Sequence, residues 1–514
     1  MASTNTKSSL IEIPPNDENN IELVNNVHPP EWINPEPASR YNLVVIGAGT
    51  AGLVAAAGTA ILGGKVALIE RHLMGGDCLV TGCVPSKAVI QSSRIYAAIR
   101  DADKFGALVP PGTEMDFPAV MERMRSIRAQ ISHHDSAAQF RKLGADVFLG
   151  NACFSGPDTV EVAGRSLRFH KAVIATGARP TVPPIDGLRE AGYLTSETVF
   201  NLTERPNRLL VVGGGPLGCE LAQAFCRLGS RVTIVERNAQ LLKREDRDAA
   251  EMLARGFARD GMDIRLNTNV TRVVSAEKEK LIHLEAGGKA DVVAADEILV
   301  GVGRSPNVEG LNLEAVRVKY DENGVLVNDY LQTTNPRIYA AGDVCLPCKF
   351  THTADAAARI VIQNALFLGR KKFSASVIPW CTYTDPEIAH VGVHGRDCEE
   401  KGIQLKTFVI PLSEVDRALT DSEEEGFLKV HIKKGTDRIL GATIVARHAG
   451  ELISEITTAM AGGIGLKKIA NIIHPYPTQA EAIKRVADEY NRTRLTPTLK
   501  KLLSTWLAWT RWLA

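Results

Sequence analysis

The stretch N-L-V-V-I-G-A-G-T-A-G, running from Asn42 to Gly52, decides the fold. A short apolar run ends in glycines, a small-residue segment follows to about Leu62, and Lys65 to Glu70 forms a second apolar run. This order predicts a βαβ unit that holds a dinucleotide. Gly47 allows the tight turn, Gly49 lets the backbone approach a pyrophosphate, and Gly52 lets helix and strand pack closely. Glu70 closes the second strand about 20 residues on, where an acid binds a ribose hydroxyl.

The same arrangement recurs between Arg208 and Glu236. Gly213, Gly215, Gly218 and Glu236 each lie 166 residues after Gly47, Gly49, Gly52 and Glu70, and Leu228-Gly229 matches Leu62-Gly63. A lone glycine loop is weak evidence. Two copies with one internal spacing and the same terminal acid predict two Rossmann-like domains, hence two dinucleotides.

Directly after the first unit, G-G-D-C-L-V-T-G-C-V-P-S-K runs from Gly75 to Lys87. Five residues of regular helix rise about 7.5 Å, slightly beyond the ~7 Å at which two Cα atoms still support a disulfide. The helix must therefore start late or be distorted between Cys78 and Cys83; Gly75, Gly76, Gly82 and Pro85 supply the irregularity. A metal site lacks two further ligands nearby, so the pair reads as redox-active.

At these motifs the chain resembles the class I pyridine nucleotide-disulfide oxidoreductases, which include lipoamide dehydrogenase, glutathione reductase and mercuric reductase, from about Tyr41 to Tyr490. The resemblance implies FAD in the first unit and NAD(P)H in the second. It implies that Cys83 is the thiolate against the flavin, that Cys78 attacks the substrate, and that Lys87 stands beside flavin N5, paired with Glu220. A cation there favours a thiolate by Coulomb attraction. In A-T-G-A-R-P, Thr176 and Gly177 mark the segment leaving the flavin domain, and Gly303 in G-V-G-R-S-P-N marks the one returning. Asp343, ending I-Y-A-A-G-D, takes the place that binds the ribityl chain. Cys345 and Cys348 depart from the family pattern; their C-x-x-C spacing suits a redox pair or half a metal site, and ordinary thiols are the reading adopted.

Near the C-terminus, H-P-Y-P-T-Q-A-E (474–481) resembles the family segment H-P-T-x-x-E. The alignment puts Tyr476 where disulfide reductases carry their catalytic His, and Glu481 at the acid that follows. A His shuttles protons near neutral pH, whereas an unperturbed Tyr, with a pKa of about 10, does so poorly. His474, two residues earlier, serves instead if the loop is shifted. Mercuric reductases carry Tyr at this position, and thiolates suit a soft cation. The resemblance thus points to a flavoenzyme passing electrons through Cys78–Cys83 to a soft metal ion or small disulfide. The alternatives are a dihydrolipoamide dehydrogenase- or glutathione reductase-like enzyme, and a non-catalytic redox-sensing flavoprotein. No heavy-metal domain is expected at the N-terminus, and the last cysteine is Cys398, so a soft ion is expected to reach the inner pair without a cysteine relay. Glu236 favours NADH by repelling a 2′-phosphate; Arg237, Lys243 and Arg244 can accommodate NADPH.

Composition agrees with these assignments. A formal net charge of +1 over 514 residues gives no electrostatic reason to favour nucleic acid. Nine cysteines without a signal-like start lead to the expectation of a reducing, cytoplasmic setting. No apolar run reaches the length of a membrane span.

The expected class is α/β: two Rossmann-like dinucleotide-binding domains, for FAD and NAD(P), plus an α+β C-terminal dimerisation domain. The expected layout is a disordered leader over 1–39, the FAD domain over 40–185 and 312–378, the NAD(P) domain over 186–311, dimerisation over 379–490, and an amphipathic helical tail over 491–514. In the tail Leu502, Trp506, Trp509 and Leu513 share one helical face. It is expected to pack on its own protein or a dimer mate, with weak membrane-surface contact as the second reading. The expected homodimer places Tyr476 and Glu481 of one chain over Cys78 of the other. No resident metal is expected.

Overall fold

The computed structural model describes residues 11–277 and 279–512. The chain forms two compact units, one comprising the residues up to Leu241 together with Ala258–Ala375, the other Leu242–Phe257 with the chain from Ser376 onward.

The first unit is built on the predicted βαβ. Strands β1 (Tyr41–Ile46) and β2 (Val66–Glu70) flank helix α2 (Thr50–Ile61) and pair in parallel, with Leu43 opposite Val66 and Ile46 opposite Ile69. Both strands are almost wholly buried, as the near-continuous apolar runs of a parallel sheet covered on both faces require. Strands β3 (Asp146–Leu149), β4 (Ala152–Gly156), β5 (Thr159–Val162) and β6 (Arg165–Ile174) complete the order β3-β2-β1-β6-β5-β4, and Ile338–Ala340 adds to β6. Helix Thr351–Leu366 packs on α2 so closely that a Cβ on Gly58 would lie 2.6 Å from Ile362 Cδ1.

The second nucleotide unit lies in the same compact body. Its parallel sheet has the order 263–265, 231–235, 208–212, 297–300, with an antiparallel meander over 269–295 beside it. The two segments predicted to leave and re-enter the first domain meet as an antiparallel pair, Ala178–Pro180 against Arg304–Pro306.

The leader is the main correction. Residues 11–39 are ordered, and α1 (Glu18–Val27) is a helix capped by the Asp17 side chain on the Asn20 N–H. Leu23 and Val27 are fully buried in the core that also holds β1 and β2. Arg128, buried on α5 (Phe117–Ser132), donates to Asn20 Oδ1 and to Val80 O, so α1 completes a polar cluster that the rest of the unit leaves open. Residues 1–10 of the expected leader lie outside the described residues.

The second unit centres on a five-stranded antiparallel sheet in the order 379–382, 387–392, 439–446, 427–433, 405–411. Val430, Ile432 and Ile444 pack against Ile453 and Ile456 of helix Ala449–Ala461 and Ile483 and Val486 of helix Glu481–Arg494. The segment 242–257, assigned from sequence to the NAD(P) domain, belongs to this unit instead. Glu245 and Asp246 explain why: they are bonded to Trp380, His394 and Lys429. The tail forms a helix, Pro497–Trp512, with no buried residue. The expected packing on its own chain is therefore not observed; Leu513 lies outside the described residues. No described helix is long and apolar enough to cross a membrane.

Candidate active site

The twin glycine loops fold alike because their glycines face backbone. Gly47 has φ +101°, and a Cβ there would stand 2.4 Å from Ala175 O; at Gly213, φ is +107° and the obstacle is Gly301 O at 2.5 Å. A Cβ on Gly52 would meet Gly47 O at 1.8 Å, and one on Gly218 would meet Gly213 O at 2.0 Å. Gly49 and Gly215 then begin the helices, whose free N–H groups and dipoles favour a pyrophosphate. The two acids repeat the symmetry: Glu70 Oε2 accepts from Ala48 N, and Glu236 Oε2 from Gly214 N, both at 2.7 Å. These cradles fit two dinucleotides.

Between the cysteines the helix breaks as the spacing requires. Cys78 sits in α3 (Gly76–Val80), Cys83 is the first residue of α4 (Cys83–Arg100), and Gly82 links them, with its α-carbon so close to Asp77 O that a Cβ would lie 2.7 Å away. Cys83 Sγ is 3.3 Å from Thr351 Oγ1. The hydrogen bond from Cys78, then Thr351 and the Lys87 cation, hold the Cys83 thiol below its ordinary value of 9.0. Cys78 is pushed the other way by Cys83 and by burial. Both shifts act in the same sense, favouring the proton on Cys78 and the negative charge on Cys83.

Lys87 Nζ donates to Glu220 Oε2 at 2.8 Å, with the Glu220 side chain buried. Thr176 Oγ1 donates to Asn307 O, and Asn307 N to Gly177 O, tying the leaving segment to the returning one. Gly303, at φ +138°, accepts from Thr181 N in the same crossing. Asp343 follows Gly342 (φ +81°), and burial raises its carboxyl pKa while Arg304, 3.6 Å away, opposes.

Three residues of this site carried no role in the sequence reading. Arg304 is paired with Asp77, the neighbour of Cys78, as well as with Asp343. Thr351 reaches Cys83 across 268 residues of chain. Asp135 raises Cys78 by its charge. Arg304 lies inside the quoted G-V-G-R-S-P-N, which was the available signal; Thr351 and Asp135 had none. Cys345, by contrast, has its thiol pKa raised mainly by burial and turns toward Gly342 O, consistent with an inert thiol.

In the second unit the segment 474–481 presents Tyr476 and withdraws His474. Tyr476 is 69% exposed and its hydroxyl donates to Asp416 Oδ2 at 2.9 Å, which raises its pKa. The His474 side chain is only 6% exposed, with Nε2 2.8 Å from Glu455 Oε1. Glu481 Oε1 accepts from Arg485, which also pairs with Asp416 and donates to Glu414 O.

The pyridine nucleotide-disulphide oxidoreductase family model matches residues 41–359, and the dimerisation domain of that family matches 378–487. The chain is 36% identical over 453 residues to a mercuric reductase of Staphylococcus aureus, covering 88% of this chain and 83% of that one. It is 34% identical over 460 residues to a dihydrolipoyl dehydrogenase of Thermus scotoductus, covering 88% and 98%. Among solved structures, LpdA from Mycobacterium tuberculosis superposes with a TM-score of 0.80 at 28% identity, covering 88% of this chain and all of that one. A Cu(II) complex of the HOCl-induced flavoprotein disulfide reductase RclA from Escherichia coli gives 0.77 at 28% identity, covering 86% and 98%. The chain belongs to the pyridine nucleotide-disulphide oxidoreductases, homodimeric flavoenzymes that use FAD and NAD(P)H.

Proposed function

We propose that this enzyme reduces a soft metal ion, in the manner of a mercuric reductase, through Cys78 and Cys83. Bound FAD would take hydride from NAD(P)H and hand an electron pair onward. The glycine loops with Glu70 and Glu236 would hold the two dinucleotides, and Asp343 would hold the ribityl chain. Cys83, kept anionic by its hydrogen bonds and by Lys87, would be the thiolate that exchanges electrons with the flavin. Glu220 positions Lys87. Cys78 meets the acceptor, as a thiolate ligand to a soft cation or as the nucleophile on a disulfide sulfur. Tyr476 and Glu481 approach Cys78 from the dimer mate.

The observation that carries the metal reading is the exposure of Tyr476 beside an inward-turned His474 side chain. Opening a disulfide leaves a thiolate that needs a proton, and a tyrosine whose pKa is raised further by Asp416 is a poor donor near neutral pH. A soft cation needs none. The relative from Staphylococcus aureus supports the same choice, while the dihydrolipoyl dehydrogenase relative keeps disulfide reduction as the second reading. The deciding experiment compares NAD(P)H oxidation driven by Hg(II), oxidised lipoamide and oxidised glutathione. Turnover with either disulfide exceeding that with Hg(II) would overturn the proposal, and absence of turnover with all three would leave a redox-sensing flavoprotein.

A further inference from the structure

We propose that Glu245, His390 and His394 form a binding site for a borderline divalent cation, zinc, inside the second unit. All three side chains are buried, and one ligand atom from each lies within 4.8 Å of those of the other two. The site is separate from the cysteine pair and enters no step proposed above.

Each residue is oriented through one atom by a partner behind it. Glu245 Oε1 accepts from Trp380 Nε1 at 2.6 Å, His390 Nδ1 is 2.8 Å from Thr443 Oγ1, and His394 Nδ1 is 3.1 Å from Asp246 Oδ1. Asp246 is itself fixed by Lys429 at 3.0 Å. A carboxylate that holds one imidazole nitrogen while the other faces an ion is the usual way a metal-binding histidine is oriented. His394 Nε2 fits that role: it is buried and has no hydrogen-bond partner among the described residues. His390 Nε2 makes only a 3.3 Å contact to Gly392 O.

The donor set selects the ion. Two imidazoles and a carboxylate, with one position left for water, suit zinc; calcium and magnesium prefer all-oxygen sites. The two imidazoles stack with ring centroids 3.6 Å apart, which brings their nitrogens to one side of the cluster. Ligand atoms around a tetrahedral zinc stand about 3.3 Å apart. Binding therefore draws the three groups inward by roughly 1 Å and turns the stacked rings apart, motions that χ rotations supply. A bound ion would fasten the segment 242–257 to the strand Glu387–Gly392.

The test uses the flavin-loaded dimer with Cys78–Cys83 oxidised, stripped with a chelator and titrated with Co²⁺, then Zn²⁺. The expected result is one cobalt retained per chain through desalting, with visible bands of a four-coordinate nitrogen and oxygen site and no thiolate-to-cobalt band, displaced by zinc. His394→Gln and Glu245→Gln should each weaken retention at least tenfold while flavin content stays unchanged. Should His394→Gln lose its flavin, Glu245→Gln decides alone, since its amide still accepts from Trp380. No retained ion in the parent protein, a thiolate band, or retention unchanged in Glu245→Gln would overturn the site.

Discussion

Lys87 on the cysteine helix and Glu220 on the first helix of the second nucleotide unit form one ion pair at 2.8 Å, so the charge beside Cys83 is set from two domains at once. Lys87 lowers the Cys83 pKa and Glu220 raises it. Because the Cys83 value is depressed, its thiolate persists above that value and is lost only as pH falls through it. Lys87→Met should shift this loss to higher pH. The check is a pH titration of the long-wavelength thiolate-to-flavin band of the two-electron-reduced enzyme under argon.

The same band separates the cysteines. Cys83→Ser should abolish it, whereas Cys78→Ser, which has no disulfide to reduce, should show it before any reductant is added, while the flavin is still oxidised, since the charge resides on Cys83. A band surviving in Cys83→Ser would reverse the assignment.

Tyr476→Phe removes the hydroxyl bonded to Asp416 and, on the proposed mechanism, acts in the acceptor half-reaction. Turnover with Hg(II) should fall about tenfold, the worth of one hydrogen bond of roughly 1.4 kcal/mol, with flavin reduction by NAD(P)H unchanged. Stopped-flow measurement of the two halves reads this directly. Tyr476→His should raise disulfide turnover, with an optimum near neutral pH.

The paired glycines offer a selective cut. Gly52→Ala forces a Cβ into Gly47 O, and Gly218→Ala forces one into Gly213 O. The first should yield chain depleted of flavin; the second should stay yellow while KM for NAD(P)H rises at least tenfold. Flavin absorbance per chain and steady-state kinetics distinguish them.

The N-terminal helix bears weight despite its polar composition. Leu23→Ala should cost about 2–5 kcal/mol, measured by urea unfolding, because Leu23 is fully buried. Faster alkylation of Cys78 should accompany it, since α1 and α3 share the Arg128 cluster.

What could be read from the chain alone was whatever depends on local backbone geometry. Gly47, Gly52, Gly213 and Gly218 are visible because only glycine tolerates those close approaches, and the break between Cys78 and Cys83 follows from helix rise. The helix Glu18–Val27 was hidden because its three buried apolar residues are diluted by Asn and Glu, and composition outweighed the Asp17 cap. Thr351 beside Cys83, and Glu245 beside His390 and His394, were out of reach for a different reason: more than a hundred residues separate the partners, and only the folded sheets bring them together.

The burial of His474 against Glu455 also bears on the proton balance of the whole reaction. Reducing a disulfide with NAD(P)H takes up one proton from solution per turnover, and a site doing so needs a group that relays it. Reducing a divalent metal ion to the atom releases one. On the metal-reducing cycle proposed above, turnover would acidify an unbuffered medium, whereas disulfide reduction would make it more basic.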